Sequence, residues 1–253
     1  MWSDEERGLV SHKYLEDKSM QDILTGLLTN IIWFALGIMV ANYKNIILWL
    51  KKIIFWNKKV RFSIAYLYRI KIDNKYLLIK GGNIGQYQPV GGVYKYYKSF
   101  SDKIREYEIC SESNKNFYEE GDLRFITKGK YILKIIRWFN SGKNREINVD
   151  REFYEEIVTP GFLPEAAMKN MEVEFIRQTP PKMKYSTHFG MQEILIFNIF
   201  EARMSEEDLS NLKLATEKYR GKLVLVESED IEQECFDLNG KSTKIGAHSK
   251  NVL

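Results

Sequence analysis

Apolar and polar positions along the chain fall into two regimes. Residues 23–41 (ILTGLLTNIIWFALGIMVA) contain no charged side chain and present no polar face. At about 1.5 Å of rise per residue, a helix of this length roughly spans the hydrocarbon core of a bilayer. Thr25, Thr29 and Asn30 interrupt the run, but each can hydrogen-bond within or between helices. A second apolar stretch follows within 41–59, where Lys51 and Lys52 separate two short apolar blocks. It reads either as a short second span, making a helical hairpin with the first, or as an interfacial helix over 45–56. In the second case Trp49 and Trp56 sit at headgroup depth and the lysines snorkel.

From Arg61 the period changes. Residues 61–72 alternate in part and are rich in aromatic and β-branched types, Asp73, Asn74 and Lys75 supply a turn, and 76–80 return as the second strand of a hairpin. Gly81, Gly82, Asn83 and Gly85 form a permissive loop that leads to Gln86. Ile132, Ile135, Ile136 and Phe139 recur at helical spacing, and Ser141-Gly142 ends that helix. In 148–161, Asp150 is placed as an N-cap, Phe153 and Ile157 form an apolar stripe, and Pro160-Gly161 stop the pattern. Further on, 164–170 read as a short helix or turn, and 173–179, 184–188 and 193–201 as strands. Residues 204–219 read as a helix capped by Ser205 with Asp208, 223–227 as an apolar strand-like segment and 231–236 as a short closing helix. A mixed sheet with helices on its faces, an α/β sandwich, is the expected architecture.

Charge changes the picture only through its distribution. The formal net charge of +4 over 253 residues says little. Residues 1–22 are acidic on balance, whereas Lys44, Lys51, Lys52, Lys58, Lys59 and Arg61 cluster after the apolar run. That asymmetry keeps the large C-terminal region in the cytoplasm whether there are one or two spans. The acidic leading region, with no small-residue cleavage site, argues against a secretory signal. Cys110 and Cys235 lack metal spacing and read as free thiols, and three histidines are too scattered for a metal centre.

The candidate chemistry lies in the string R-E-F-Y-E-E. On a helix, Glu152, Glu155 and Glu156 share one side, with Arg151 able to pair with Glu155. Three carboxylates so close repel unless a cation lies over them, and Mg²⁺ completed by phosphate oxygens suits. The plain alternative is an exposed acidic face. Upstream, Tyr94, Tyr96 and Tyr97 cluster beside Lys95 and Lys98. Residues 106–120 are polar, and 124–145 carry seven basic side chains (Arg124, Lys128, Lys130, Lys134, Arg137, Lys143, Arg145) and no acid. Such a segment can meet phosphates or anionic lipid.

Together, Q-Y-Q-P-V-G-G-V-Y-K (86–95) and R-E-F-Y-E-E (151–156) resemble the Nudix box. Gly92 matches its opening glycine, and Arg151, Glu152, Phe153, Glu155 and Glu156 match its helix. Lys98 stands at the upstream glutamate position, Val158 replaces the glycine after the paired glutamates, and an insertion over 93–146 stretches the box. Glu106, Glu108 or Glu146 could supply the missing acid. With R-W-F-N-S-G (137–142) and the closing I-G-A-H-S-K-N-V-L (245–253), the chain resembles the SMODS-associated Nudix proteins of bacterial anti-phage (CBASS) operons, including the form with a leading membrane segment.

The resemblance implies a membrane region over 1–59 and a Nudix-like α/β/α sandwich over 60–253, preceded by a transmembrane helix or hairpin. It implies an effector in the cell inner membrane. Its domain would bind a cyclic oligonucleotide from a partner nucleotidyltransferase, self-associate and disrupt the bilayer, with no DNA or RNA duplex as ligand. Gln88, Gly91, Gly92, Tyr94, Lys95, Lys134, Arg137 and Arg145 are the expected nucleotide-binding residues, and Glu152, Glu155 and Glu156 the expected Mg²⁺ ligands. Tyr96, Tyr97 and Trp138 are further candidates to stack on a base. The alternative is a membrane-tethered, Mg²⁺-dependent pyrophosphohydrolase.

Overall fold

A computed structural model describes residues 4–82, 85–112 and 121–253. Asn83 of the glycine-rich loop, the later part of the 106–120 segment and the side chains of residues 4–19, Asp22 and Lys44 lie outside what is described. The chain divides into two units, Met1–Leu50 and Lys51–Leu253.

A single helix, α1 (Asp4–Ile54), occupies the first unit and runs to the start of the second. No turn separates the two apolar stretches, which form one continuous helix rather than a hairpin. Lys51 and Lys52 are good helix formers and do not break the pattern. Within α1, Ile23–Tyr43 is long and apolar enough to cross a membrane, and none of its side chains is buried by the rest of the protein. Three of its polar side chains bond within the helix: Thr25 donates to the Gln21 carbonyl (2.7 Å), Thr29 to that of Thr25 (2.8 Å) and Asn42 to that of Ile38 (3.0 Å). Length and composition make this a candidate span, a test that a signal sequence near an N-terminus also passes.

The second unit contains, in order, β1 (Lys59–Arg69), β2 (Lys71–Ile72), β3 (Lys75–Lys80), β4 (Tyr87–Gln88), β5 (Gly91–Val93), α2 (Ser101–Glu106), β6 (Cys110–Ser111), β7 (Arg124–Lys128) and α3 (Ile132–Asn140). Then come α4 (Asp150–Phe153), which continues as a π-helical turn (Tyr154–Val158), α5 (Glu165–Asn170), β8 (Glu172–Gln178), β9 (Lys182–Ser186) and β10 (Met191–Arg203). The chain closes with α6 (Glu206–Lys218), β11 (Leu223–Val226), α7 (Ser228–Gln233), β12 (Cys235–Leu238), β13 (Lys241–Lys244) and a 3-10 turn (Ala247–Val252).

A seven-stranded mixed sheet runs β6-β7-β1-β10-β8, with β5 also on β1 and β9 also on β10. The β1–β10 pair is parallel, the others antiparallel. Both faces of β1 are covered, so Val60 to Tyr68 are all buried and the strand lacks a clean alternation. On one face, Leu67 and Ile199 pack with Leu78, Val224 and Ile231 against the smaller sheet β11-β3-β2 and α7. On the other, Tyr66, Tyr68 and Tyr94 pack with Phe153 beneath α4. The mixed sheet with helices on its two sides agrees with the expected sandwich, and one side carries a second sheet as well. The β2–β3 turn is as read, with Asp73 (φ 50°) and Asn74 (φ 64°) both left-handed, as a tight two-residue hairpin requires.

Strand ends shift by a residue or two, as at β9 and β10, and two features depart further from the sequence reading. The 93–146 insertion is no appendage, because β7 inside it pairs with β1 from Lys59↔Lys128 to Ser63↔Arg124. The segment 231–236 is not one helix. Glu234 adopts a left-handed conformation (φ 59°) that ends α7, and Cys235 and Phe236 open β12.

Candidate functional site

The glutamate helix begins at Asp150 rather than after it. Asn148 Oδ1 accepts the Asp150 N–H (2.9 Å), and Asp150 occupies the first turn, where a carboxylate meets the positive end of the helix. Phe153 and Ile157 are fully buried, as their spacing predicts, and they anchor the helix on the sheet. Beyond Phe153 the turn widens: Thr159 N–H bonds the Tyr154 carbonyl (2.8 Å) and Phe162 N–H that of Ile157 (3.0 Å). Such π turns often occur at functional sites.

Opposite this helix lies β5. Gly91 has φ +147° and sits where any Cβ would strike the Tyr66 carbonyl, so glycine is required there. Its N–H donates to Glu156 Oε2 (2.9 Å). At Gly92 a Cβ would overlap the Glu152 carboxylate, which closes directly over that backbone. Gly92 therefore admits a carboxylate of the chain itself, whereas Gly91 admits the close approach of β1.

Arg151 organises the rest. Its Nη1 donates to Glu152 Oε1 (2.6 Å), its Nη2 to the Val93 carbonyl (2.8 Å) and its Nε to Glu146 Oε1 (3.1 Å). The expected Arg151–Glu155 pair is the longest contact, at 3.7 Å. Of the three acids considered for the place vacated at Lys98, Glu146 is the one beside Arg151: its Oε2 accepts the Lys95 N–H (3.2 Å), and its own N–H bonds the Lys95 carbonyl (2.7 Å). Lys98 sits on an exposed 3-10 turn. Glu106 and Glu108 are engaged elsewhere, Glu106 by Lys103 and Lys134, Glu108 by Lys128 and Lys130. Asp122, which the sequence reading missed, adds its negative charge near Glu152. It enters through a bridge to Lys95 across a fold that local pattern does not reveal.

Electrostatics follow from this enclosure. Burial pushes the Glu156 carboxyl up to about 8, opposed by the Gly91 N–H and reinforced by Glu152 and Glu155. Burial also raises Glu152, against the pull of Arg151, with Glu155 and Asp122 adding to the rise. Desolvation works against the Arg151 guanidinium, but the Glu146 bond and the charges of Glu152 and Glu146 outweigh it and hold it firmly charged.

The expected metal ligands do not fit a metal as they stand. Glu152 is committed to Arg151, Glu156 to the Gly91 amide, and Glu155 is half exposed. Among the described residues no three His, Cys, Asp or Glu side chains are grouped to hold an ion.

The expected nucleotide-binding residues are brought together in part, with the Arg145 guanidinium 5.2 Å from the Tyr94 ring, but this pair faces inward. Tyr94 is buried, with its hydroxyl accepting from Asn198 Nδ2 (2.8 Å) and its pKa pushed up to about 12 by burial. Arg145 is also buried: Nε donates to the Phe139 carbonyl (2.7 Å), Nη1 to that of Glu146 (2.6 Å), and the guanidinium stacks on Phe139. Both are structural, because neither presents its polar end to solvent. Trp138 is likewise buried, stacked on Phe100 at 3.9 Å. The basic segment contains no acid of its own, but tertiary folding brings Glu108 to Lys128 and Lys130 and Glu106 to Lys134, and Asp122 lies 3.8 Å from Arg124. Arg137 and Lys143 remain exposed, and Gln88, Gly92 and Lys95 are half-buried beside the glutamate helix strand.

Geometry of this kind, an Arg-Glu helix packed against a glycine strand, is that of a Nudix-like domain. The model of the SMODS-associated NUDIX domain matches residues 59–253, and the chain belongs to that family. A crystal structure of a Nudix hydrolase from M. smegmatis, RenU, is similar over 78% of this chain and 82% of its own, at 10% identity and a TM-score of 0.27. No curated protein matches the chain.

Proposed function

We propose that this chain is a nucleotide-responsive membrane effector of an anti-phage system, in which ligand binding rather than hydrolysis is the output. The observation that carries the reading is the joining, in one chain, of an SMODS-associated NUDIX domain to a helix whose Ile23–Tyr43 stretch is uncharged and unburied. A soluble hydrolase has no use for such a stretch. The ligand would be a cyclic oligonucleotide made by a partner nucleotidyltransferase, and its binding would drive self-association and breach of the inner membrane. The enclosed carboxylates support binding over turnover, because Glu152 and Glu156 already have partners within the protein. Arg137 and Lys143 are the exposed cations of the basic segment best placed to meet phosphate.

One observation favours the hydrolase reading: Glu146 restores an acid beside Arg151, so the lysine at position 98 does not remove that charge. Two measurements separate the readings. Leakage from cells expressing the protein with its synthase should require the synthase, the ligand and residues 1–59 together. Purified protein should bind cyclic nucleotides without consuming them. Leakage that persists with a dead synthase, or rapid turnover of a linear nucleoside diphosphate that needs Glu152 or Glu156, overturns the proposal.

A further inference from the structure

Resting on that membrane reading, we infer that the NUDIX-family domain itself docks on anionic lipid headgroups, through a surface assembled from the start of β1 and from β9. The two segments are far apart in sequence. Lys51 Nζ donates to the Met183 carbonyl (2.7 Å) and ties the last turn of α1 to the middle of β9. The strand register then sets the geometry. Val60, Gln192 and Tyr185 lie in one row across β1, β10 and β9, and Arg61, Glu193 and Lys184 in the next. Two strand spacings, about 10 Å, therefore separate the β1 start from Lys184 and Tyr185.

This end of the sheet is rich in unspent positive charge. Lys58, Lys59, Lys182 and Lys184 are exposed and, among the described residues, make no ion pair. The Lys52 ammonium lies over the Trp56 ring at 5.1 Å and that of Lys58 over the Phe55 ring at 5.3 Å, cation–π contacts that leave the charge unneutralised. Among the described residues, nearby acids are already taken: Glu112 and Glu193 by the buried Arg61, Glu108 by Lys128 and Lys130. Lys59, Lys182 and Lys184 share one face of the sheet, and exposed apolar and amphipathic side chains border them. Trp56, at 48% exposure, stands with Ile53 and Ile54 at the end of α1. Tyr185, at 61%, lies on the edge strand β9 and points to the opposite face from Lys184. Presented edge-on, lysines bordered by Trp and Tyr match a headgroup layer, which offers phosphate charge at the surface and hydrocarbon just below. Charge complementarity selects an anionic bilayer as the occupant, and chain continuity selects the same bilayer, since only a short stretch separates Tyr43 from Lys51.

The test uses full-length protein in which Cys110→Ser and Cys235→Ser leave Tyr185→Cys as the single labelling site for an environment-sensitive dye. Protein is reconstituted into vesicles of phosphatidylcholine alone or with phosphatidylglycerol, with a nitroxide quencher at headgroup depth. The dye should be blue-shifted and quenched with phosphatidylglycerol, and less so in its absence or in high salt. At about fivefold per lysine near an anionic surface, Lys182→Gln with Lys184→Gln should lower the docked-to-undocked ratio about twentyfold. Equal emission and quenching in both vesicles, or no response to the glutamine pair, overturns the inference. Resistance to alkaline carbonate is measured in parallel. Release of the protein removes the membrane reading and this inference together, whereas retention with an unquenched dye removes the docking surface alone.

Discussion

Replacing Glu156 by Gln tests the enclosed carboxylate most directly. The amide keeps the size of the side chain and an oxygen to accept the Gly91 N–H, and it removes only the titration. A carboxyl whose pKa is raised by folding holds its proton after the unfolded chain has lost it. Its presence therefore leaves stability intact below the ordinary 4.5 and lowers it as pH rises toward about 8, where the folded carboxyl ionises too. Each pH unit in that window is worth about 1.36 kcal/mol, so by pH 7 the penalty reaches about 3 kcal/mol. Glu156→Gln is free of it. The variant should match the native protein at pH 4.5, exceed its Tm by about 5–10 °C at pH 7, and gain no more above pH 8. Thermal unfolding of the full-length protein in detergent, followed by near-UV circular dichroism across this range, measures the difference. Titrations common to both proteins cancel. Parallel Tm curves for the two proteins, or a variant less stable at pH 7, would refute the argument that Glu156 is desolvated.

The remaining expectations concern the same network and the membrane segment. Glu146→Ala strands a part-buried Arg151 and should cost about 2–3 kcal/mol in chemical denaturation, while Lys98→Ala should change stability by less than about 0.5 kcal/mol. Gly91→Ala should prevent folding or cost more than about 2 kcal/mol, because its Cβ meets backbone, whereas Gly92→Ala meets only the Glu152 side chain and should be milder. Magnesium should leave the Tm nearly unchanged; a rise that vanishes in a Glu155→Gln, Glu156→Gln double variant would show that the carboxylates rearrange around a cation and would favour the hydrolase reading. Arg137→Ala should weaken cyclic-nucleotide binding by about tenfold in calorimetric titration, and an unchanged affinity would place the phosphates elsewhere.

Local pattern carried much of this protein. The uncharged run at 23–41 is long and apolar enough to cross a membrane, and its helix needed no partner to be recognised. The Phe153–Ile157 stripe, the Asp73-Asn74 turn and the Ser205 cap, whose hydroxyl accepts the Asp208 N–H at 3.1 Å, are set by residues a few positions apart. Such interactions are visible along a one-dimensional chain. The tertiary structure decided which of the candidate residues are available. Tyr94 and Arg145 look like ligand-binding residues by type, yet packing of α3 against the sheet buries both. Of three acids that could replace the one missing at Lys98, only Glu146 reaches Arg151, and Asp122 entered the site unannounced. The parallel pairing of β1 with β10 and the tie between Lys51 and Met183 join residues more than a hundred positions apart. Contacts at that separation depend on the whole fold closing, so no local period or turn signal encodes them.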